Sequence, residues 1–219
     1  MTRTMPAVLI GAADPAAPVD LPAGAIASLI RATGPVSYDY QFGPDGTLLR
    51  AVADHSWAID GTLFARDMTM LALVDGQLAG MAMAFPGDDF YRRKAALVAS
   101  LPPLIAELAL DPAELEGLMI RAEQASYLNA HAPSHAWYLL ALAVEPTWRG
   151  HAVGAALLTD VIARGRAAGF AEVQLDVLAD NPAVDFYDAF GFRILAEIRS
   201  PELSERAGFP SEYRMGLTL

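Results

Sequence analysis

Two apolar runs, MTMLALV (68–74) and QLAGMAMAF (77–85), meet at Asp75-Gly76. Asp-Gly tolerates positive φ at both central positions of a type I′ turn, and the twist of that turn matches a hairpin. The pair predicts an antiparallel β-hairpin that any fold of this chain must accommodate.

A second stretch constrains the connections. AWYLLALAV (136–144) reads as a central strand. The helix that follows places Val153, Leu157, Val161 and Ile162 on its inner side and ends at Gly169. EVQLDV (172–177) then alternates Val173, Leu175 and Val177 inward. Strand, helix and strand make a right-handed crossover with parallel strands. An early hairpin and a late βαβ unit together predict a mixed α/β fold.

The remaining elements fit around these two. PAVLI (6–10) reads as a first strand, and LPAGAIASLIRATG (21–34) as a helix closed by Gly34. SYDYQFG reads as an aromatic loop, and 46–66 as partly helical. Between hairpin and central strand, 88–130 reads as a helical insertion. Within it, a helix over 88–100 is stopped by Pro102 and Pro103. A second helix opens at Asp111-Pro112-Ala113-Glu114, an N-cap, a first-turn proline and a capping-box Glu. Leu115, Leu118, Met119 and Ala122 share one face of that helix. A short helix over 182–190 ends at Gly191, and 193–199 and 212–219 read as closing strands.

Composition excludes several functions. The 219 residues contain no cysteine, which removes disulfides, thiolate metal sites and cysteine nucleophiles, and no metal is expected. A net charge of −11 argues against nucleic acid and anionic membrane surfaces as partners. An acidic balance suits a cationic substrate or serves solubility alone. No apolar stretch reaches a membrane span, and the start of the chain does not resemble a signal peptide, so a cytoplasmic location is expected.

The turn VEPTWRGHAVG (144–154) bears on chemistry. Pro146 ends the strand, and Gly150 permits an unusual backbone. Amides at the start of the next helix, with Arg149 beside them, form an anion cradle. On these residues alone the simpler reading is a tight corner with a solvated arginine, because such strand–turn–helix units are common. DNPAVDFYDAFGFR (180–193) follows the next strand, with Asn181 able to cap its short helix.

Together the two segments resemble the Gcn5-related N-acetyltransferase (GNAT) family. The resemblance covers about residues 136–193. Arg149-Gly150-x-x-x-Gly154 looks like the family's pyrophosphate loop, and Asn181, Phe186-Tyr187 and Gly191-Phe192 look like its later segment. The fold implied is a mostly antiparallel sheet with a splayed parallel central strand pair, flanking helices and the insertion, as one acyltransferase domain over 1–219. The implied activity is transfer of acetyl from acetyl-CoA, or another acyl-CoA, to a primary amine of a small molecule or peptide. The pantetheine would lie along Leu142, Ala143 and Val144, and the pyrophosphate on Arg149, Gly150, His151, Ala152, Val153, Gly154 and Ala155. Asn181, Phe186 and Tyr187 would complete the cofactor site, with Tyr187 protonating the leaving thiolate. Where the family carries Gly, this chain has Ala152; a helix start has negative φ, so the Ala is expected to sit without strain.

Tyr38, Tyr40 and Phe42 are expected to line the acceptor pocket. No acid lies on 136–144, so the general base is left open among Asp88, Asp89, His131, Ser134, His135 and Glu145. The insertion is expected over the acceptor site or against a second copy in a homodimer. Two other readings stay in play. One is a non-catalytic acyl-CoA-binding module. The other, a Rossmann-type nucleotide site, lacks the glycine fingerprint.

Overall fold

The computed structural model describes residues 7–13, 20–129 and 131–219. The first strand, β1 (Val8–Ala12), lies two residues later than expected, and Pro6 falls outside the described residues. Three helices follow: α1 (Ala25–Thr33), α2 (Pro35–Phe42) and α3 (Thr47–Trp57). SYDYQFG is therefore helical and not a loop. Pro35 stands at its first turn, where a missing N–H costs nothing, and Gly43 stops it at φ 92°.

The hairpin forms as predicted from β2 (Thr69–Val74) and β3 (Gln77–Pro86), with Asp75 at φ 51° and Gly76 at φ 78°. Between β3 and the central strand come α4 (Asp89–Ser100), α5 (Pro102–Leu108) and α6 (Pro112–Ser126). Pro102 and Pro103 do more than stop α4; they occupy the first turn of α5. The capping box is complete at α6: Asp111 accepts from Glu114 N–H at 2.8 Å, and the Glu114 carboxylate accepts from Asp111 N–H at 3.2 Å.

The central crossover is β4 (Trp137–Val144), α7 (Val153–Ala167) and β5 (Glu172–Leu178). Then come α8 (Ala183–Ala189), β6 (Arg193–Ile198), α9 (Pro201–Ala207) and β7 (Glu212–Thr218). Helix α9 escaped the sequence reading, although Ser200 caps it and Pro201 opens it.

The seven strands form one sheet in the order β1-β2-β3-β4-β5-β7-β6. All neighbours are antiparallel except β4 and β5. That parallel pair is short: only Trp137–Leu139 and Val173–Leu175 are in register. Beyond Leu139 the strands part. Leu140 has no register partner on β3 either, so β4 bulges at the point where the sheet opens.

The core has two layers. One face of the sheet buries Met81, Met83, Phe85 and Tyr138 under α1 and α3. The other buries Ala82, Leu139, Val173, Leu175 and Met215 under α7. Leu157, Leu158 and Val161 of α7 are completely covered. Burying each such side chain contributes about 1.5–3 kcal/mol, and α7 packs against strands on both sides of the opening. Among the described residues no helix is long and apolar enough to cross a membrane.

Candidate active site

The gap between β4 and β5 runs through the sheet. A cleft of about 1460 Å³ occupies it and reaches both faces. Small-molecule pockets commonly enclose about 300–1,000 Å³, so this cleft has room for two ligands.

On the α7 side, the edge of β4 over Leu142, Ala143 and Val144 lines the cleft without a strand partner toward β5. Unpaired edge amides and carbonyls seek an extended polar chain. The turn after β4 supplies the other half. The first bond into α7 is Ala156 N–H to Ala152 O at 3.0 Å, and no side chain caps the helix. The amides of Val153, Gly154 and Ala155 thus have no acceptor among the described residues, and these residues line the cleft. Arg149 and Gly150 line it too, with Arg149 Nε donating to Val144 O at 3.3 Å. Free amides, the helix dipole and a guanidinium make an anion site.

Two details differ from expectation. Ala152 does not have negative φ; it is left-handed at φ 58°, ψ 9°. The turn needs that conformation to swing the amides of α7 toward the cleft, and an L-residue with a Cβ is strained there. Replacing Ala152 with Gly should stabilise the chain by about 1 kcal/mol, read as a higher urea midpoint at unchanged slope; a lower midpoint would show that the turn carries no such strain. His151, included in the loop from sequence, turns away from the cleft: its Nδ1 lies 2.9 Å from Arg149 O and its ring packs edge-on to Trp148.

Asn181, Phe186 and Tyr187 come to the same side. Asn181 Oδ1 accepts from Ala183 N–H at 2.9 Å, so it caps the start of α8 as its type suggests. Phe186 stands beside Gly154, where a Cβ would lie 3.6 Å from the ring. Tyr187 is buried, its ring packed at a tilt against Phe186 and Phe192. Its hydroxyl makes no hydrogen bond to a described residue. Burial raises its pKa above the ordinary phenol value, so it keeps its proton throughout the neutral range.

On the opposite face, α2 brings Tyr38 and Phe42 to the cleft wall. They are four residues apart and share a helical face, with ring centroids 6.4 Å apart. Tyr40 lies on the other side of that helix. Its hydroxyl donates to Gln124 Oε1 at 2.6 Å and its ring packs on Phe209 at 5.3 Å, which pins α2 to α6. Burial pushes the Tyr38 phenol up to about 12.

The floor holds a charge cluster that sequence reasoning missed. Arg214 on β7 grips Asp176 on β5 through Nε–Oδ1 at 2.6 Å and Nη2–Oδ2 at 2.8 Å. Tyr138 of β4 donates to the same carboxylate at 2.8 Å, and Arg214 Nη1 donates to His131 O at 3.1 Å. Glu212 begins β7 opposite Leu178 and lines the cleft. Its carboxylate accepts from Asn129 Nδ2 at 3.2 Å. Burial, then the nearby Asp176 charge, push its pKa up to about 8 against the pull of Arg214. The one signal in the sequence was a pair of charges, Glu212 and Arg214, both on the inward positions of an alternating strand.

None of the six residues considered as bases lines the cleft. His135 pairs with Glu172 at 2.6 Å, Tyr91 meets His131 Nδ1 at 2.8 Å, and Asp89 holds Arg92. Asp88, Ser134 and Glu145 also lie outside it. Among the described residues no group of three or more His, Asp or Glu is placed to hold a metal.

Comparison with known proteins supports this geometry. No curated protein sequence matches the chain significantly. Among solved structures, an N-acetyltransferase from Staphylococcus aureus Mu50 superposes with a TM-score of 0.65 at 17% identity, over 95% of this chain and 100% of that one. A mutant agmatine N-acetyltransferase in its apo form gives 0.56 at 16% identity, over 97% and 100%. The NatC complex bound to Gag peptide and CoA gives 0.51 at 15%, over 97% and 98%. At these identities the likeness is one of fold. The profile of the Acetyltransferase (GNAT) family matches residues 38–192, which takes in the hairpin, the split strands, the amide-lined turn and Tyr187. That span is well over half of the molecule, and the chain belongs to the GNAT family, enzymes that transfer an acyl group from acyl-CoA to an amine.

Proposed function

We propose that this protein transfers acetyl from acetyl-CoA to a primary amine of a small molecule or peptide, by direct attack of the amine on the thioester. One observation carries the reading: a split sheet whose open β4 edge continues into free helix amides and Arg149. A ligand with an extended amide-bearing arm and a pyrophosphate fits both features at once.

Leu142, Ala143 and Val144 would pair with the arm, and the amides of Val153 to Ala155 with the pyrophosphate, helped by Arg149. Phe186 and Asn181 would flank the arm. Acetyl-CoA supplies an activated acyl group, and the chain supplies position and protons. An amide on the β4 edge polarises the acyl carbonyl, as in an oxyanion hole. Tyr187 offers the proton for the departing sulfur. The cleft walls hold the amine against the carbonyl.

The same reading treats 1–219 as one acyltransferase domain acting in the cytoplasm, in line with the absence of cysteine from the sequence. Ile194 and Leu195 on the edge strand β6 are about half-exposed, which supports pairing with a second copy in a homodimer.

Calorimetric titration with acetyl-CoA tests the cofactor half. Binding is expected in the micromolar range or tighter, and no heat at millimolar concentration would remove the reading. Arg149→Ala should weaken that binding about tenfold, the loss of one charge-assisted contact. Unchanged affinity would make Arg149 a solvated surface charge.

A further inference from the structure

The acceptor half of the cleft carries an apolar strip, with Gln41, Tyr91, Lys94 and Asn129 among the polar groups beside it. Phe42 of α2, Phe90 and Leu97 of α4, and Leu115, Leu118 and Ala122 of α6 line it on the face opposite α7. None carries a polar side-chain atom. Five of the six come from the helices between β3 and β4, and Leu115, Leu118 and Ala122 are spaced to present one stripe of α6. Arg121, off that stripe, ties α6 to α2 by donating to Gln41 O at 3.2 Å. Leu97 is a core residue, and Phe42 and Phe90 pack on the core, so the strip is a fixed apolar surface suited to the apolar body of a ligand.

At the inner end stands Glu212. Four groups face it from the surrounding strands and helices: Asp176 of β5, Arg214 of β7, Tyr138 of β4 and Tyr38 of α2. Arg214 already spends two nitrogens on Asp176. Glu212 forms no ion pair among the described residues, and its hydrogen-bond partner, Asn129, is neutral. Two carboxyls share one guanidinium, so an ionised Glu212 leaves the floor one negative charge in excess. A cation arriving there balances it.

Resting on the acyltransferase reading above, we propose that the acceptor is an alkyl or arylalkyl primary amine, its apolar body against α2, α4 and α6 and its nitrogen at Glu212, which takes the ammonium proton. The carboxyl is suited to that exchange, since a buried acid close to neutrality both accepts and releases a proton at working pH. Proton balance follows. Glu212 removes one proton from the ammonium and frees the lone pair. The carbon–nitrogen bond forms as the carbon–sulfur bond breaks. Tyr187 gives its proton to the sulfur and regains one from the new amide nitrogen. Glu212 passes its proton to solvent, so one proton is released per turnover.

The test uses the full chain with saturating acetyl-CoA and follows free-thiol release. Hexylamine and 2-phenylethylamine are compared with ethanolamine, 1,4-diaminobutane and a lysine-containing peptide. The apolar amines are expected to show a kcat/KM at least about tenfold higher. Ala122→Phe, which fills the wall, should raise KM for hexylamine about tenfold with acetyl-CoA affinity unchanged. Glu212→Gln should lower kcat by about 10²-fold or more, the usual contribution of a positioned base. It should also abolish the rise in kcat through about pH 8, where the wild-type carboxyl ionises. Equal or better turnover of the polar amines or the peptide would overturn the proposal, as would a Glu212→Gln enzyme with the wild-type pH profile. A preference for long-chain acyl-CoA with ethanolamine would also overturn it, because the apolar wall would then hold the acyl chain. In each of those cases acetyl-CoA binding and thiol release leave the acyltransferase reading intact. Failure to bind acetyl-CoA removes both.

Discussion

Tyr187→Phe lowers kcat by about 10²–10⁴-fold, the usual contribution of a positioned general acid, while the dissociation constant for acetyl-CoA stays within about twofold. The asymmetry follows from what the substitution removes. Phe keeps the ring between Phe186 and Phe192 and so keeps the packing of α8. The lost hydroxyl has no described partner, so no hydrogen bond of the folded protein goes with it. Only the proton is missing. The burial that holds the phenol protonated also disfavours a bare thiolate in the same cleft, so donor and acceptor are desolvated together. Steady-state kinetics and calorimetry on the one variant decide the matter. Full activity would take the acid role away from Tyr187.

Arg214→Met destabilises the chain by about 3–5 kcal/mol, because it strands a carboxylate inside the sheet. Asp176 and Arg214 expose only 3% and 7% of their side chains. Removing the guanidinium also leaves His131 O and Gln174 Oε1 without a donor they now have. The double variant Asp176→Leu/Arg214→Met should recover most of the loss, since it removes both charges together. Urea unfolding of the two single variants and the double variant measures this. A single variant within about 1 kcal/mol of wild type would mean that the pair behaves as a solvated surface bridge.

What the sequence disclosed depends on how local each signal was. Asp75-Gly76 and Asp111-Glu114 are short patterns with one geometric solution, and both formed as read. The parallel strands were legible because a helix of regular period separates them. Helix α2 was hard to see because its residues are mixed and none is buried; its local start signal was Gly34-Pro35. The loop reading carried into the acceptor wall, where Tyr40 was grouped with Tyr38 and Phe42 as loop neighbours. A helix separates them by face. The strain at Ala152 was not legible, because the hand of a turn depends on where the chain must go next. Glu212 was hidden by distance. It reaches the cleft only because β7 inserts between β5 and β6, a pairing that no local pattern announces.

The opening of the sheet at Leu139 has a mechanical consequence. Strands β1 to β4 form one leaf, and β5, β7 and β6 another, and three residue pairs are the seam between them. Helix α7 lies across β1 to β5 and acts as the clasp. Without ligand, the leaves are held at one end, like a book bound along part of its spine. An extended arm hydrogen-bonded to the free edge of β4 would sew the rest. Substrate loading then adds a brace to the scaffold as well as a reactant to the site, and product release undoes it. Each turnover would be one cycle of stiffening and relaxation, and amides along 140–144 would report it as protection from hydrogen exchange gained on loading and lost on release.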